Sequence, residues 1–130
     1  MTENTYTLFD DVQRFMNAAE QEKSEQTADL YLRLINEEMN ELSDAVEGGN
    51  EVATLDAICD TIWVLIGYAH AKGYPIDMAW DAVALSNFSK CITLDGKLTT
   101  VKREDGKVIK GPYFKPPKIK EILLDAGFQC

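Results

Sequence analysis

The feature that most constrains this chain is residues 57–71, a run that is apolar on every side of a helix and holds a single acid, Asp60. Such a helix needs cover from other parts of the protein all the way round. Asn50 can cap its start and Gly73-Tyr74-Pro75 ends it, so we predict a buried helix over residues 51–72. An unpaired carboxylate there costs several kcal/mol, so Asp60 must be neutralised, paired or bound to a metal ion.

The remaining hydrophobic periodicity predicts an all-α fold, a four-helix bundle. A first helix is expected over residues 8–20, a second from an N-cap at Thr27 to Glu47, and a fourth from Asp77 towards Phe88. The second helix carries an apolar stripe that we expect to lie in the core: Tyr31, Leu32, Ile35, Met39, Leu42 and Val46.

The pattern changes after Lys90. Asp105-Gly106 stands between short β-prone runs and predicts a small C-terminal hairpin, and a short terminal helix is expected over residues 119–126, stopped by Gly127. A chain of 130 residues fits a single domain. We therefore predict one domain over residues 1–130, with a helical core at about 8–89 and a tail at about 90–130.

Charge is distributed unevenly along the chain. Residues 1–89 hold 17 acidic and 4 basic residues, whereas residues 90–130 hold 5 and 9. The acidic surface disfavours a nucleic acid polymer as a partner, while the basic tail could hold a small anion. The first residues show no export signal, the longest apolar run is too short for a membrane span, and three scattered cysteines favour a reducing compartment. These features predict a cytoplasmic protein without a membrane partner.

Five carboxylates form the candidate chemical site. Glu37, Glu38 and Glu41 fall within one third of the second helix's circumference, and Asp56 and Asp60 lie one turn apart on the third. Four basic residues precede residue 90, too few to neutralise these acids: Arg14, Lys23, Arg33 and Lys72. A bound divalent cation is the simplest way to neutralise these acids, and a ligand set of carboxylates alone suits Mg²⁺, with Mn²⁺ as a substitute.

Glu37-Glu38-x-x-Glu41, followed by acids on a buried helix, resembles the all-α NTP pyrophosphatase superfamily, which includes MazG and phosphoribosyl-ATP pyrophosphohydrolase. Segments 10–15, 33–38, 67–73, 86–90 and 106–113 extend the likeness to phage-type, MazZ-like members. The resemblance implies a MazG-like bundle. One departure is that the family pattern Glu-x-x-Asp has Ala57 at its first position, so the neighbouring Asp56 must supply that ligand.

The resemblance further implies a Mg²⁺-dependent hydrolase that cleaves a nucleoside triphosphate, with a purine dNTP such as dGTP or dATP preferred, to the monophosphate and pyrophosphate. Glu37, Glu38, Glu41, Asp56 and Asp60 would bind the metal, and Glu37 or Glu38 would be the general base. Asn87 would contact the sugar or a phosphate. The other expected substrate contacts are Lys90, Lys107, Lys110 and Tyr113 at the phosphates, and Trp63 and Phe15 at the base.

Rival interpretations remain. Phosphoribosyl-ATP is an alternative substrate, and an acidic helical interaction protein is an alternative without catalysis, although it leaves Asp60 unexplained. A ferritin-like di-iron bundle needs Glu-x-x-His pairs, which the sequence lacks. Because the second and third helices carry more apolar surface than one small chain can cover, we expect a homodimer or homotetramer.

Overall fold

The computed structural model describes residues 5–130; residues 1–4, part of the stretch used to predict that no export signal is present, lie outside it. The chain forms two compact units, one ending at Ile76 and one over Asp77–Cys130, which are described separately. The elements in chain order are α1 (Leu8–Ala18), α2 (Glu25–Glu47), α3 (Glu51–Lys72), α4 (Ile76–Phe88), β1 (Ile92–Leu94), β2 (Lys97–Thr99) and α5 (Ile119–Asp125). The predicted all-α bundle with a small hairpin and a terminal helix is confirmed.

Side-chain caps set where the helices begin. Thr7 and Asp10 form a reciprocal capping box at α1, with the Asp10 amide 3.2 Å from Thr7 Oγ1. Asn50 caps α3 as predicted, accepting a hydrogen bond from the Ala53 amide at 3.0 Å. The predicted cap of α2 is wrong: Ser24, not Thr27, accepts the capping hydrogen bond, from the Thr27 amide at 3.1 Å. Thr27 is instead buried in the first turn.

The first unit consists of an α2–α3 hairpin, and α1 packs against α3. Tyr31 of α2 is almost fully buried and donates a hydrogen bond from its hydroxyl to Gln21 Oε1 at 2.6 Å. His70 of α3 lies 2.9 Å from the Phe9 carbonyl through Nε2, which ties α3 to α1. Buried side chains from all three helices form the core: Val12, Met16, Ala28, Tyr31, Ile35, Val64, Ile66 and Ala71.

The chain covers less of α2 and α3 than their sequences predict. Of the α2 stripe, Tyr31 and Ile35 are buried and Leu42 is half-buried, but Leu32, Met39 and Val46 are exposed. Along α3 the exposed apolar residues are Val52, Leu55, Ile58, Ile62, Trp63 and Leu65. Of the burial on every side that the sequence predicts for α3, the chain itself supplies only part, because α1 and α2 cover only part of its circumference. The apolar run of α3, expected from the sequence to be too short for a membrane span, lies in a helix that by length and composition could cross a membrane, although the core helix of a soluble protein passes the same test.

The hairpin of the second unit turns at a different place from the one predicted. β1 and β2 pair antiparallel with Leu94 opposite Lys97, and Asp95 and Gly96 both have positive φ, as a two-residue hairpin turn of type I′ requires. Asp105-Gly106 also makes a turn, but only an isolated bridge between Lys102 and Val108 flanks it. The terminal helix ends as predicted, since Gly127 follows it with φ of 95°.

Gly67→Ala should destabilise the protein. A Cβ at Gly67 would lie 2.8 Å from Tyr31 Cζ and closer still to two other ring atoms, so the buried ring would have to move. Overpacking of this kind costs about 1–3 kcal/mol, more than the ~1 kcal/mol that alanine gains over glycine in a helix. Urea unfolding would measure the loss. In a Tyr31→Leu background the same change should cost much less, and a more stable Gly67→Ala single variant would contradict the packing argument.

Candidate active site

The acids of α2 and α3 face one another across the groove between the two helices. Glu38 and Asp60 are half-buried, whereas Glu37, Glu41 and Asp56 are exposed. The negative charges of Glu41, Asp60 and Glu37 all act on Glu38. The structure therefore places three of the other predicted metal ligands, Glu37, Glu41 and Asp60, near enough to Glu38 for their charges to act on it.

Glu38 is the most perturbed of these groups. Burial raises the pKa of its carboxyl above the ordinary value, and the charges of Glu41 and Asp60, a side-chain hydrogen bond with Glu41 and the charge of Glu37 raise this pKa further. Its Oε2 atom is buried without a hydrogen-bond partner among residues 5–130. A buried, unpartnered carboxylate oxygen among like charges is unfavourable, and a cation would relieve both the desolvation and the repulsion.

Asp56 lies further along the groove, towards the turn that joins α2 to α3. It lines a cavity of about 510 Å³ together with Glu41, Asp44 and Asn50. Asp56 is not among the charges that raise the pKa of Glu38, but it shares this cavity with Glu41. Asp44 is an acid that the sequence interpretation missed. Its position three residues after Glu41, on the same face of α2, was the available signal.

The fit of a metal ion can be judged from the donors present. In the described part of the chain no three His, Cys, Asp or Glu side chains stand close enough to hold an ion as they are. The donors in the groove are nevertheless all carboxylate oxygens, which suit Mg²⁺ and Mn²⁺, and one of them is buried and unpartnered. The residues fit such an ion in chemistry and charge, and binding would require rotation of their side chains towards a common point.

Phe15 and Trp63 form an aromatic pair on the α1–α3 side of the first unit. Their rings pack edge to face with centroids 5.6 Å apart, and Trp63 follows Asp60 by three residues on α3. Phe15 is 51% exposed and Trp63 36%, so both rings offer surface to a ligand. The pair can present an aromatic face about one helical turn from Asp60.

The predicted substrate contacts in the second unit are mostly exposed. Lys90 is half-buried just after α4, while Asn87, Lys107 and Lys110 are exposed. The Lys107 amide donates to Asp105 Oδ1 at 3.1 Å, and Lys110 Nζ lies 4.8 Å from the ring centroid of Phe114.

Tyr113, also exposed, lines a mainly apolar cavity of about 920 Å³ between the end of α4 and residues 112–118. Ser89 fixes this wall by accepting a hydrogen bond from the Lys115 amide at 2.9 Å and donating one to the Ser86 carbonyl at 2.6 Å. Lys115 and Lys118, which the sequence interpretation did not single out, also line this cavity. This cavity is larger than the one in the acidic groove but is lined by no carboxylate, so the candidate metal ligands lie in the groove.

Comparison with known protein families identifies the family of this chain. The profile of the phosphoribosyl-ATP pyrophosphohydrolase family matches residues 8–87, more than half of the sequence. The chain belongs to this family. Its members hydrolyse phosphoric anhydrides, so the chain is a nucleotide pyrophosphohydrolase, and the resemblance to the all-α NTP pyrophosphatase superfamily is confirmed.

The family match covers the five predicted metal ligands together with Phe15, Trp63 and Asn87. The tail residues Lys90, Lys107, Lys110 and Tyr113 lie beyond it. No individual curated protein matches the chain at a significant level.

Glu38→Gln should stabilise the metal-free protein at neutral pH. Because the folded-state pKa of Glu38 is raised, its contribution to stability is fully present below the ordinary carboxyl pKa and is lost as pH rises through the folded pKa. A neutral amide avoids that loss, so the melting temperature of the variant in EDTA should exceed that of the wild type at pH 7 and approach it near pH 4.

Glu22→Gln, at an exposed glutamate in the α1–α2 connector, is the control and should show no such pH-dependent difference. Equal melting temperatures for Glu38→Gln and the wild type at pH 7 would show that Glu38 is not destabilising in the metal-free state.

Proposed function

We propose that the chain is a Mg²⁺-dependent pyrophosphohydrolase that cleaves a nucleoside triphosphate between its α and β phosphates. A purine dNTP such as dGTP or dATP is the proposed substrate, and the monophosphate and pyrophosphate are the products. The observation that carries the proposal is the buried, unpartnered Oε2 of Glu38 in a groove of carboxylates. Family membership supports the type of reaction.

Glu38, Glu41 and Asp60 are the proposed principal metal ligands, since the charges of Glu41 and Asp60 act most strongly on Glu38. Asp56 is proposed as a further ligand next to Glu41, with which it lines the groove cavity. When bound, Mg²⁺ or Mn²⁺ would lower the pKa of a water and neutralise charge on the phosphate oxygens.

Glu37 is the better candidate for the general base, although the sequence alone leaves the choice between it and Glu38 open. Its side chain is exposed at the groove and free to meet a water, whereas the buried oxygen of Glu38 suits a ligand. In this role Glu37 would accept the proton of the attacking water, a contribution worth roughly 10²–10⁴-fold in rate.

The remaining contacts follow the family resemblance. Lys90, Lys107, Lys110 and Tyr113 would bind the β and γ phosphates through charge-assisted hydrogen bonds, and Asn87 the sugar or a phosphate. Trp63, paired with Phe15, would stack on the base, and the exposure of both rings supports this role. The setting we propose is a phage-type, MazZ-like homodimer or homotetramer in the cytoplasm that acts on free nucleotides, with neither a membrane nor a nucleic acid polymer as partner.

Asp60→Asn and Glu37→Gln should separate metal binding from proton transfer. Asp60→Asn removes a ligand charge and should lower both Mg²⁺ affinity and kcat, the latter by at least about 100-fold. Glu37→Gln should lower kcat while leaving Mg²⁺ affinity within a few-fold of the wild type. Calorimetric titration and pyrophosphate release measure the two quantities. Asp29→Asn, at an exposed acid early in α2, is the matched control, and near-normal turnover by Asp60→Asn would refute the site.

The substrate proposal predicts that dGTP or dATP has the highest kcat/KM among the four dNTPs, with the monophosphate and pyrophosphate as products. The physical reason is the larger stacking area of a purine on Trp63, where stacking is worth ~1–3 kcal/mol per base. Steady-state kinetics with chromatographic product analysis gives the ranking. A pyrimidine at the top would exclude the purine preference, and turnover of phosphoribosyl-ATP alone would favour that alternative. No turnover of any of these nucleotides would overturn the proposed substrate class.

A further inference from the structure

The pair of Phe15 and Trp63 has an acid beside it on each of its two helices. On α3, Asp60 comes three residues before Trp63, and on α1, Asp11 comes four residues before Phe15. Spacings of three and four residues place side chains on the same face of a helix, one turn apart. Each ring therefore has a carboxylate about one turn away on its own helix.

The two acids lie at opposite ends of the aromatic pair, because α1 and α3 run antiparallel. Phe9, near the start of α1, meets His70, near the end of α3, whereas the aromatic contact joins the later part of α1 to the middle of α3. Asp11, two residues after Phe9, is therefore level with about residue 68 of α3, eight residues beyond Asp60. At 1.5 Å per residue, this separates the two acids by about 12 Å along the helix axis.

A nucleotide bound as proposed above would extend along this direction. Its phosphates would lie at the acidic groove beside Asp60, and its base would stack on Trp63 and Phe15. The sugar separates phosphate from base, so the Watson–Crick edge of the base is the part furthest from the phosphates. That edge would point towards the end of the aromatic pair at which Asp11 lies.

The carboxylate of Asp11 has the capacity to bind a ligand. The capping box of α1 uses Asp10 with Thr7, so the helix start does not depend on Asp11. Asp11 lies 3.9 Å from Arg14, whose guanidinium also covers the ring of Tyr6 at 3.9 Å from the centroid. An ionised carboxylate offers about four lone-pair sites, so Asp11 can accept hydrogen bonds from a ligand while Arg14 stays beside it. Its side chain is 34% exposed, which leaves it accessible.

A carboxylate in this position distinguishes the two purines by the donors that they present. The Watson–Crick edge of guanine offers two adjacent donors, N1–H and the 2-amino group, which match the two oxygens of one carboxylate. Adenine offers its 6-amino donor next to the lone pair of N1, which would face a negative oxygen. Because an ionised carboxylate has no donor for that lone pair, adenine would leave polar groups unpaired, and unpaired groups are what make such sites selective.

We propose that Asp11 is a specificity-determining residue, which accepts hydrogen bonds from N1–H and the 2-amino group of guanine and makes dGTP the preferred substrate. The inference rests on the proposed function, which leaves the choice between dGTP and dATP open. Stacking on Trp63 serves both purines alike. The two hydrogen bonds to Asp11 serve guanine alone.

Steady-state kinetics with dGTP, dITP and dATP would test the assignment, since dITP differs from dGTP only in lacking the 2-amino group. The wild type should show a kcat/KM for dGTP at least about 10-fold above that for dATP, as one bidentate contact to a base allows, with dITP between them. Asp11→Asn should reverse the order of dGTP and dATP, because an amide can donate to adenine N1 and accept from its 6-amino group. Asp11→Ala should bring all three substrates within a few-fold of one another.

A purely structural role for Asp11 predicts a different result. An acid in the first turn also interacts favourably with the positive end of α1, but loss of that interaction would lower stability and affect all three substrates equally. Thermal melting reports the stability of each variant, and Asp77→Asn, at a first-turn aspartate of α4, is the control that should keep the wild-type ranking.

The outcomes separate this inference from the function on which it rests. A wild type that prefers dATP, or a dGTP-to-dATP ratio unchanged in both Asp11 variants, would overturn the role of Asp11 and leave the pyrophosphohydrolase proposal standing. A wild type that hydrolyses none of the three nucleotides would overturn both.

Discussion

The contact between Tyr31 and Gly67 sets the register on which the active site depends. The ring of Tyr31 lies where a side chain on Gly67 would be, so α2 and α3 approach closely at that height. Because the hairpin turns about Gly49, moving seven residues along each helix from Tyr31 and Gly67 leads to Glu38 and Asp60. Two helical turns therefore separate the packing contact from the carboxylates, and the same register that buries Tyr31 brings Glu38 and Asp60 together.

That register has an energetic consequence for the free protein. Close packing of α2 on α3 shields one oxygen of Glu38 from water and holds it near Glu41 and Asp60, which raises its pKa. An arrangement of this kind is unfavourable for folding by itself and becomes favourable when a cation is present, because binding to the folded state alone stabilises that state. The electrostatic cost of the groove therefore supports the proposal that it binds a metal ion.

The sequence predicted the bounds of the helices and the positions of the acids better than it predicted which apolar residues are buried and where the hairpin turns. Asn50, the bounds of α3 and the meeting of Glu38 with Asp60 follow from local capping and helical periodicity. Asp95-Gly96 and Asp105-Gly106 carry the same local turn signal, and only the pairing of Ile92–Leu94 with Lys97–Thr99 distinguishes them. Likewise, periodicity shows that Leu32 and Tyr31 share an apolar side of α2, but which of them is buried depends on where α3 and α1 pack.

The composition of α3 is explained by two demands on opposite sides. Towards α2 it must supply small residues, such as Ala57 and Gly67, so that the hairpin closes and Asp60 reaches Glu38. Away from α2 it carries Ile58 and Leu65, which do not line the groove cavity and are exposed. A helix that is apolar all round thus combines one wall of the acidic groove with a second apolar side that the chain leaves exposed.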